Sequence, residues 1–183
     1  MFEKLYHTVE DRGDPEHIEN YGPFKCKRKD AWLGDGYYFW ENYIDNAHWW
    51  GKHSYNDNYV ICYTESDYKQ NDCLDLTNSS VLEDFKEIIN IACRKNIINK
   101  NATIPAIIEK LQNSNSFPYK IIKIRSEYTK TFNPENARKF NKNQQQFIDF
   151  SPPIQICFKD KPSIKIKRFK IIFPLKYVDG YAV

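Results

Sequence analysis

The chain has 183 residues, of which 41% are hydrophobic and 28% are charged, with a formal net charge of +3. This length suffices for one domain with a hydrophobic core and is short for two, so we predict a single domain over residues 1–183. No apolar run approaches the length of a membrane helix, and residues 1–4 lead into a strand-like pattern without a signal-peptide apolar region. We therefore expect a cytoplasmic protein, or one delivered into a cell by other machinery, with no membrane partner.

The cysteines do not follow the pattern of a metal site or of a disulfide framework. Their number is odd, and no two share a Cys-x-x-Cys or Cys/His ligand spacing, so we expect reduced, mostly buried thiols and no bound metal. The five are Cys26, Cys62, Cys73, Cys93 and Cys157.

Charge is distributed unevenly along the chain. Residues 1–100 carry 12 Lys and Arg against 18 Asp and Glu, whereas residues 101–183 carry 15 against 6. Six basic residues near the C-terminus would attract an anionic partner such as a nucleic acid. We prefer the simpler interpretation of a solvated strand face, because the aromatic rings that stack on bases are sparse there. The six are Lys159, Lys161, Lys165, Lys167, Arg168 and Lys170.

Hydrophobic periodicity and capping signals predict an α+β fold. A strand at 4–8 is followed by a helix that starts at Asp14, with Pro15 in its first turn. Short strands near both ends of the chain, with helices between them, predict a sheet whose N- and C-terminal strands line one cleft. The further strands are an aromatic run after Gly36 and residues 58–64, 74–77, 119–125, 154–158 and 169–173. The further helices are 44–50, 81–95 after a Ser79 or Ser80 cap, and 104–111, and residues 133–146 are predicted as a long polar surface loop.

The most distinctive stretch is a Gly-Asp-Gly turn that leads into the aromatic run. Gly34 and Gly36 allow the backbone to approach a ligand closely. The helical turns at 44–50 would return Trp49 toward Tyr38, so that two flat rings bracket a flat ligand. Packing of these rings in the core is the alternative, since aromatic clusters more often serve packing than binding.

Three segments in order resemble the ADP-ribosyltransferases of the diphtheria-toxin and poly(ADP-ribose) polymerase type. They are Tyr6-His7-Thr8, then residues 34–39 with Ala47-His48-Trp49 behind them, and then Ile154-Gln155-Ile156-Cys157. In that family a His on the first strand, a Tyr after a Gly-x-Gly turn and a Glu on a late strand surround NAD. His7 and Tyr38 match this motif, and Gln155 stands where the Glu is expected. The resemblance implies an ADP-ribosyltransferase-like split β-sheet domain with covering helices.

The resemblance also implies roles for individual residues, with NAD as the substrate. His7 would bond a ribose hydroxyl, the backbone at His7 and Thr8 would hold the carboxamide, and Tyr38 and Trp49 would sandwich the nicotinamide. The implied catalytic residues are His7, Tyr38 and Gln155, and the implied NAD-binding residues are His7, Thr8, Gly36, Tyr38, Ala47 and Trp49.

Gln155 is the main departure from the family pattern. An amide keeps a hydrogen-bond acceptor but loses the negative charge near the cationic transition state, which is worth several kcal/mol at about 4 Å. Synthesis of a polymer is therefore not expected. Transfer of one ADP-ribose is expected if the acceptor supplies its own nucleophile and charge, or if a neighbour such as Glu41 or Asp149 replaces the missing charge.

These observations predict a mono-ADP-ribosyltransferase that modifies a macromolecule, either protein or nucleic acid, and acts as a toxin, effector or defence enzyme. The first alternative is a catalytically weak module that binds NAD or ADP-ribose, since Gln155 removes the charge and leaves the pocket. The second alternative is a nucleic-acid-binding domain that uses the basic residues at 159–170.

Overall fold

The computed structural model describes residues 2–113, 117–126, 134–143 and 145–178. Within these residues the chain forms nine strands and four α-helices. The strands are β1 Glu3–Glu10, β2 Tyr37–Glu41, β3 Tyr59–Ser66, β4 Cys73–Asp75, β5 Ile121–Arg125, β6 Ala137–Lys139, β7 Phe147–Asp149, β8 Ile154–Phe158 and β9 Lys170–Phe173. The helices are α1 Pro15–Tyr21, α2 Ile44–Tyr55, α3 Ser79–Arg94 and α4 Ile104–Asn113.

Seven of the strands form one mixed sheet in the order β4-β5-β8-β2-β1-β3-β9. β4 and β5 are parallel, and the other neighbours are antiparallel. β6 and β7 form a separate antiparallel hairpin. This combination of helices with a mixed sheet confirms the predicted α+β class. None of the helices in the described residues combines the length and the apolar character needed to span a bilayer.

Short polar side chains cap the first turns of α1 and α3. Asp14 accepts a hydrogen bond from the His17 N–H at 3.0 Å, which confirms the predicted start of α1. The cap of α3 is Asn78, whose side chain accepts from the Ser80 N–H at 3.0 Å. The predicted cap at Ser79 or Ser80 is therefore one or two residues late, because a preceding Asn competes effectively for the cap position.

The two faces of the sheet bury different clusters, because side chains alternate along each strand. Leu5 and Phe39 belong to the core of one face. Trp40 packs with Ala47 of α2 on the other face. Ile122 of β5 belongs to a third cluster, which buries the apolar sides of α3 and α4. The two long helices thus cover one half of the sheet, while α2 covers the half that contains β1 and β2.

Two buried hydrogen bonds dock α2 against its neighbours. The Thr8 hydroxyl donates to the carbonyl of Ala47 at 3.1 Å, and the Asn46 amide donates to the carbonyl of Pro152 at 3.1 Å. These bonds join α2 to β1 and to the segment that enters β8. They therefore fix which side of α2 faces the sheet.

Two sequence predictions are wrong. The polar segment at 133–146 is not a loop throughout, since it contains β6, which pairs with β7 through Arg138 and Ile148. β6 forms because it pairs with β7, which lies outside the segment. The polar composition of the segment does not indicate this pairing. The basic segment at 159–170 is not a strand face, because a 3-10 turn at Pro162–Ile164 interrupts it and only Lys170 lies in β9.

Candidate functional site

A cavity opens where β1 and β2 separate. These strands pair only at Leu5↔Glu41 and Tyr6↔Trp40, whereas β1 pairs with β3 over eight positions. The cavity has a volume of about 470 Å³, and its walls include residues of β1, β2 and β8. β9 lies at the far edge of the sheet beside β3, so the expected cleft is walled by β8 and not by the last strand.

The structure brings four of the predicted site residues together at this cavity. The four that line it are His7, Thr8, Tyr38 and Gln155. The three other predicted residues, Gly36, Ala47 and Trp49, are not part of the lining. The roles of all seven residues toward a ligand stay predictions. For Gly36, Ala47 and Trp49, contacts within the protein account for the residue type without a ligand.

Trp49 and Trp50 occupy exchanged positions relative to the sequence prediction. Trp49 is 38% exposed and stacks on the ring of His53, with 5.6 Å between centroids and 2° between planes. Trp50 lines the cavity together with Tyr38. One residue of an α-helix corresponds to a rotation of about 100°, so a small error in helix phase replaces one ring by the next. Trp50, and not the expected Trp49, therefore lines the cavity with Tyr38.

Three tryptophans form an aromatic wall of the cavity. Trp32 meets Trp40 edge-on at 6.1 Å and Trp50 edge-on at 6.4 Å, and all three rings belong to residues of the lining. The Arg28 guanidinium lies 5.4 Å from the Trp50 ring centroid and forks onto the carboxylate of Asp30. The sequence reasoning missed Trp32 and Trp50, and the only available signal was their closeness along the chain to the Gly-Asp-Gly turn.

His7 is a neutral, fully hydrogen-bonded imidazole. Its Nδ1 lies 2.8 Å from the carbonyl oxygen of Tyr38, and since a carbonyl only accepts, Nδ1 carries the proton. Nε2 then accepts from the Phe24 N–H at 3.3 Å. Burial lowers the pKa of His7 to about 4, so the ring is uncharged at neutral pH. A ligand hydroxyl that bonds Nε2 must therefore displace or share the contact with Phe24.

The Tyr38 hydroxyl holds the Gly-Asp-Gly turn. It donates to the carbonyl of Gly34 at 2.5 Å and accepts from the Leu33 N–H at 3.0 Å. Burial raises the pKa of Tyr38 above its usual value, so the phenol keeps its proton. The Lys159 ammonium adds bonds to the carbonyls of Leu33 and Asp35 at 2.5 and 3.1 Å. The hydroxyl is thus committed to the turn and the carbonyl to His7, so the ring is the part of Tyr38 that is left to face a ligand.

Packing within the protein requires the second glycine of the turn. A Cβ at Gly36 would lie 2.3 Å from Sγ of Cys157 and 2.9 Å from the carbonyl oxygen of Phe158. Gly36 also exchanges two backbone hydrogen bonds with Cys26. The expected close approach is therefore to the protein's own chain, whereas Gly34 has φ +75°, a value that favours glycine.

Gln155 presents an unusual buried polar group. Its side chain is 6% exposed and lines the cavity, and its Oε1 atom has no hydrogen-bond partner among the described residues. A buried acceptor without a partner costs about 1–3 kcal/mol. A ligand donor that bonds Oε1 would remove this cost.

The two carboxylates proposed to replace the missing charge are used elsewhere. The buried Glu41 carboxylate lies 2.7 Å from the Lys123 ammonium, and Glu41 is not part of the cavity lining. Asp149 accepts from the Ser151 N–H at 2.9 Å and is also not part of the lining. Neither carboxylate therefore belongs to the cavity wall that Gln155 lines.

The charged residues of the cavity wall are mostly paired with one another. Glu10 binds Arg12 at 2.9 Å, and Asp30 binds Arg28 at 2.8 Å. The wall also contains Lys27, for which the described residues show no ion pair. The cavity wall therefore offers Lys27 as a cation for an anionic ligand group.

The basic residues at 159–170 serve mainly as internal ties. The ammonium groups of Lys161 and Lys165 donate to backbone carbonyls at 2.7 and 3.4 Å, as that of Lys159 does. Lys167 lies 3.0 Å from the ring centroid of Phe2. These contacts weaken the case for this segment as a surface for an anionic partner.

The five cysteines form neither a disulfide nor a metal cluster within the described residues. All five cysteines are free, and Cys62, Cys73 and Cys157 are buried, which confirms the prediction of mostly buried thiols. Within the described residues, no group of three or more His, Cys, Asp or Glu side chains is arranged to hold a metal ion.

Comparison of the chain with protein-family models, with curated proteins and with solved structures found no match. A functional proposal therefore rests on the cavity, its residues and the motif resemblance in the sequence.

Proposed function

We propose that the protein is a mono-ADP-ribosyltransferase that uses NAD to modify a macromolecule. The observation that carries this proposal is the unpartnered Oε1 of Gln155, buried in the wall of the cavity that His7 and Tyr38 also line. An acceptor placed there fits a sugar hydroxyl. The tryptophan wall beside it fits a flat heteroaromatic ring, since stacking needs an aromatic face.

The reaction would break the bond between C1′ of the ribose and the nicotinamide nitrogen. The bonding electrons leave with nicotinamide, and a nucleophile of the acceptor then forms a bond to C1′ and loses its proton. The transition state carries positive charge at C1′, so catalysis depends on holding the rings and on nearby negative potential. Gln155 and the neutral His7 provide hydrogen bonding but no charge, which favours a single slow transfer over polymer synthesis.

A module that binds NAD or ADP-ribose without turnover is the second candidate. It is supported by the hydrogen bonds that occupy both nitrogens of His7 and by the neutral amide at 155. Such a module needs the aromatic wall and the Gln155 acceptor, but it does not need a leaving-group step. The two candidates therefore differ in chemistry and share the cavity.

Incubation of the protein with NAD, followed by chromatographic measurement of free nicotinamide, separates the two candidates. We expect slow release by the wild type and at least about tenfold faster release by Gln155→Glu, because a carboxylate restores charge near C1′. Gln70→Glu makes the same change outside the cavity and should leave the rate unchanged. NAD binding without release in either protein would favour the binding module, and absence of both binding and release would refute both candidates.

A further inference from the structure

In the described part of the chain, the β6–β7 hairpin exposes large apolar side chains on one face. Arg138 and Ile148 are register partners, so their side chains share one face of the hairpin. Phe140 lies two residues after Arg138, and Phe150 lies two residues after Ile148, so both rings extend that face. Phe140 is 73% exposed, Phe150 48% and Ile148 46%. We call these four residues the hairpin face.

Basic residues outnumber acidic ones on the hairpin. Residues 134–150 contain Arg138, Lys139 and Lys142 against Glu135 and Asp149. One nitrogen of the Arg138 guanidinium bonds the carbonyls of Pro134 and Ala137, which leaves the charge and further N–H donors of the group available. Exposed phenylalanine rings among cations are the combination that binds single-stranded nucleic acid, since bases stack on the rings and phosphates meet the cations.

The hairpin leads directly into the cavity wall. Phe150 and Gln155 are five residues apart, so at most about 18 Å of extended chain separates them. The carbonyl of Pro152, between them, is bonded to Asn46 of α2, which ties this connection to the body of the protein. The hairpin face is therefore connected to the cavity wall through a short tethered segment.

We infer that the hairpin face is a docking surface for single-stranded nucleic acid. Single strands fit better than duplex, because a duplex keeps its bases stacked on one another and withholds their faces from Phe140 and Phe150. That the docked strand also accepts ADP-ribose rests on the proposed function. Docking itself needs neither NAD nor the cavity.

Fluorescence anisotropy with a labelled oligothymidylate of roughly fifteen nucleotides, in low salt and without NAD, tests the inference. We expect the wild type to bind, the Phe140→Ala/Phe150→Ala variant to bind at least about tenfold more weakly, and Phe140→Tyr to retain affinity because it keeps the ring. Phe2→Ala removes an exposed phenylalanine outside the hairpin and is the matched control. Thermal unfolding of each variant shows whether it is folded.

Charge gives a second, independent measurement. Arg138→Gln/Lys142→Gln should reduce the slope of log affinity against log salt concentration by an amount that corresponds to about one to two phosphate contacts. Lys86→Gln on α3 should leave this slope unchanged. No oligothymidylate binding by the wild type, as expected if the face binds a protein segment, would overturn the inference. So would equal binding by the wild type and by the folded double phenylalanine variant. Binding without nicotinamide release would leave the docking surface intact and refute the transferase.

Discussion

Nδ1 of His7 lies 2.8 Å from the carbonyl oxygen of Tyr38, and this bond crosses from β1 to β2 just beyond the last register pair of the two strands. The imidazole therefore continues the connection between the strands after their ladder has ended. Because the same ring accepts from Phe24 through Nε2, it also holds the segment that leads to the Gly-Asp-Gly turn. The neutral His7 side chain thus connects two parts of the cavity wall, at Tyr38 and at Phe24.

The state of His7 predicts a pH dependence of stability. Its pKa is lowered to about 4 in the folded protein, so between about pH 6.5 and pH 4 the unfolded chain binds the proton and the folded protein does not. Stability is fully present above this window and falls as the pH drops through it, by on the order of 3 kcal/mol for this residue. Denaturant unfolding at pH 7 and pH 4.5 measures the loss.

His7→Asn should reduce that pH dependence, because Asn retains a donor toward Tyr38 and does not titrate. His53→Asn removes an exposed imidazole and is the control. His48, whose pKa burial also lowers, should leave a residual slope in His7→Asn. Equal slopes in His7→Asn and the wild type would contradict the assignment of a buried neutral His7.

Trp50 and Trp49 offer a matched pair for the aromatic wall. Trp50→Ala should weaken binding of NAD and ADP-ribose about tenfold, because Trp50 lines the cavity and the loss of a stacked ring costs roughly 1 kcal/mol or more. Trp49→Ala removes an equal ring from the surface position beside His53 and should have little effect. Isothermal titration calorimetry compares the two, and the reverse order of effects would restore Trp49 as the ligand-facing ring.

Gln155 should show opposite effects on stability and on binding. Gln155→Leu removes the unpartnered acceptor, so the variant should be as stable as the wild type or up to about 2 kcal/mol more stable, while its affinity for ADP-ribose falls. The buried Ser54 hydroxyl also lacks a partner among the described residues, and Ser54→Ala outside the cavity should leave affinity unchanged. Loss of stability with unchanged affinity in Gln155→Leu would mean a purely structural role for Gln155.

Glu41 and Lys123 form a buried pair whose contribution is structural. Burial raises the pKa of Glu41, whereas the hydrogen bond and charge of Glu41 raise the pKa of Lys123 against the effect of burial. Removing one partner leaves a buried charge alone, so Glu41→Gln should destabilise the protein by about 3 kcal/mol in urea unfolding.

The double variant Glu41→Leu/Lys123→Met should recover most of that loss, since an apolar pair replaces both charges. Affinity for ADP-ribose should be unchanged in the folded variants, because neither Glu41 nor Lys123 lines the cavity. A specific loss of affinity in Glu41→Gln would reinstate Glu41 as the carboxylate of the site.

Local patterns were sufficient for most of the elements and for part of the site. The strand at 154–158 was predicted with the bounds of β8, and the capping signal at Asp14 predicted the start of α1. The hairpin escaped prediction because β6 pairs with residues beyond the polar segment. Such pairing depends on contacts between segments, which neither composition nor period records.

The sequence by itself determined the α+β class, because strand period and turn chemistry are local properties of the chain. Its resemblance to a known family singled out His7, Tyr38 and Gln155, which line one cavity. Tertiary structure alone decided that Trp50 and not Trp49 faces this cavity, since the bonds of Thr8 to Ala47 and of Asn46 to Pro152 set the rotation of α2. It also decided that Glu41 forms an ion pair with Lys123, because such a pair requires two segments distant in sequence to meet in the fold.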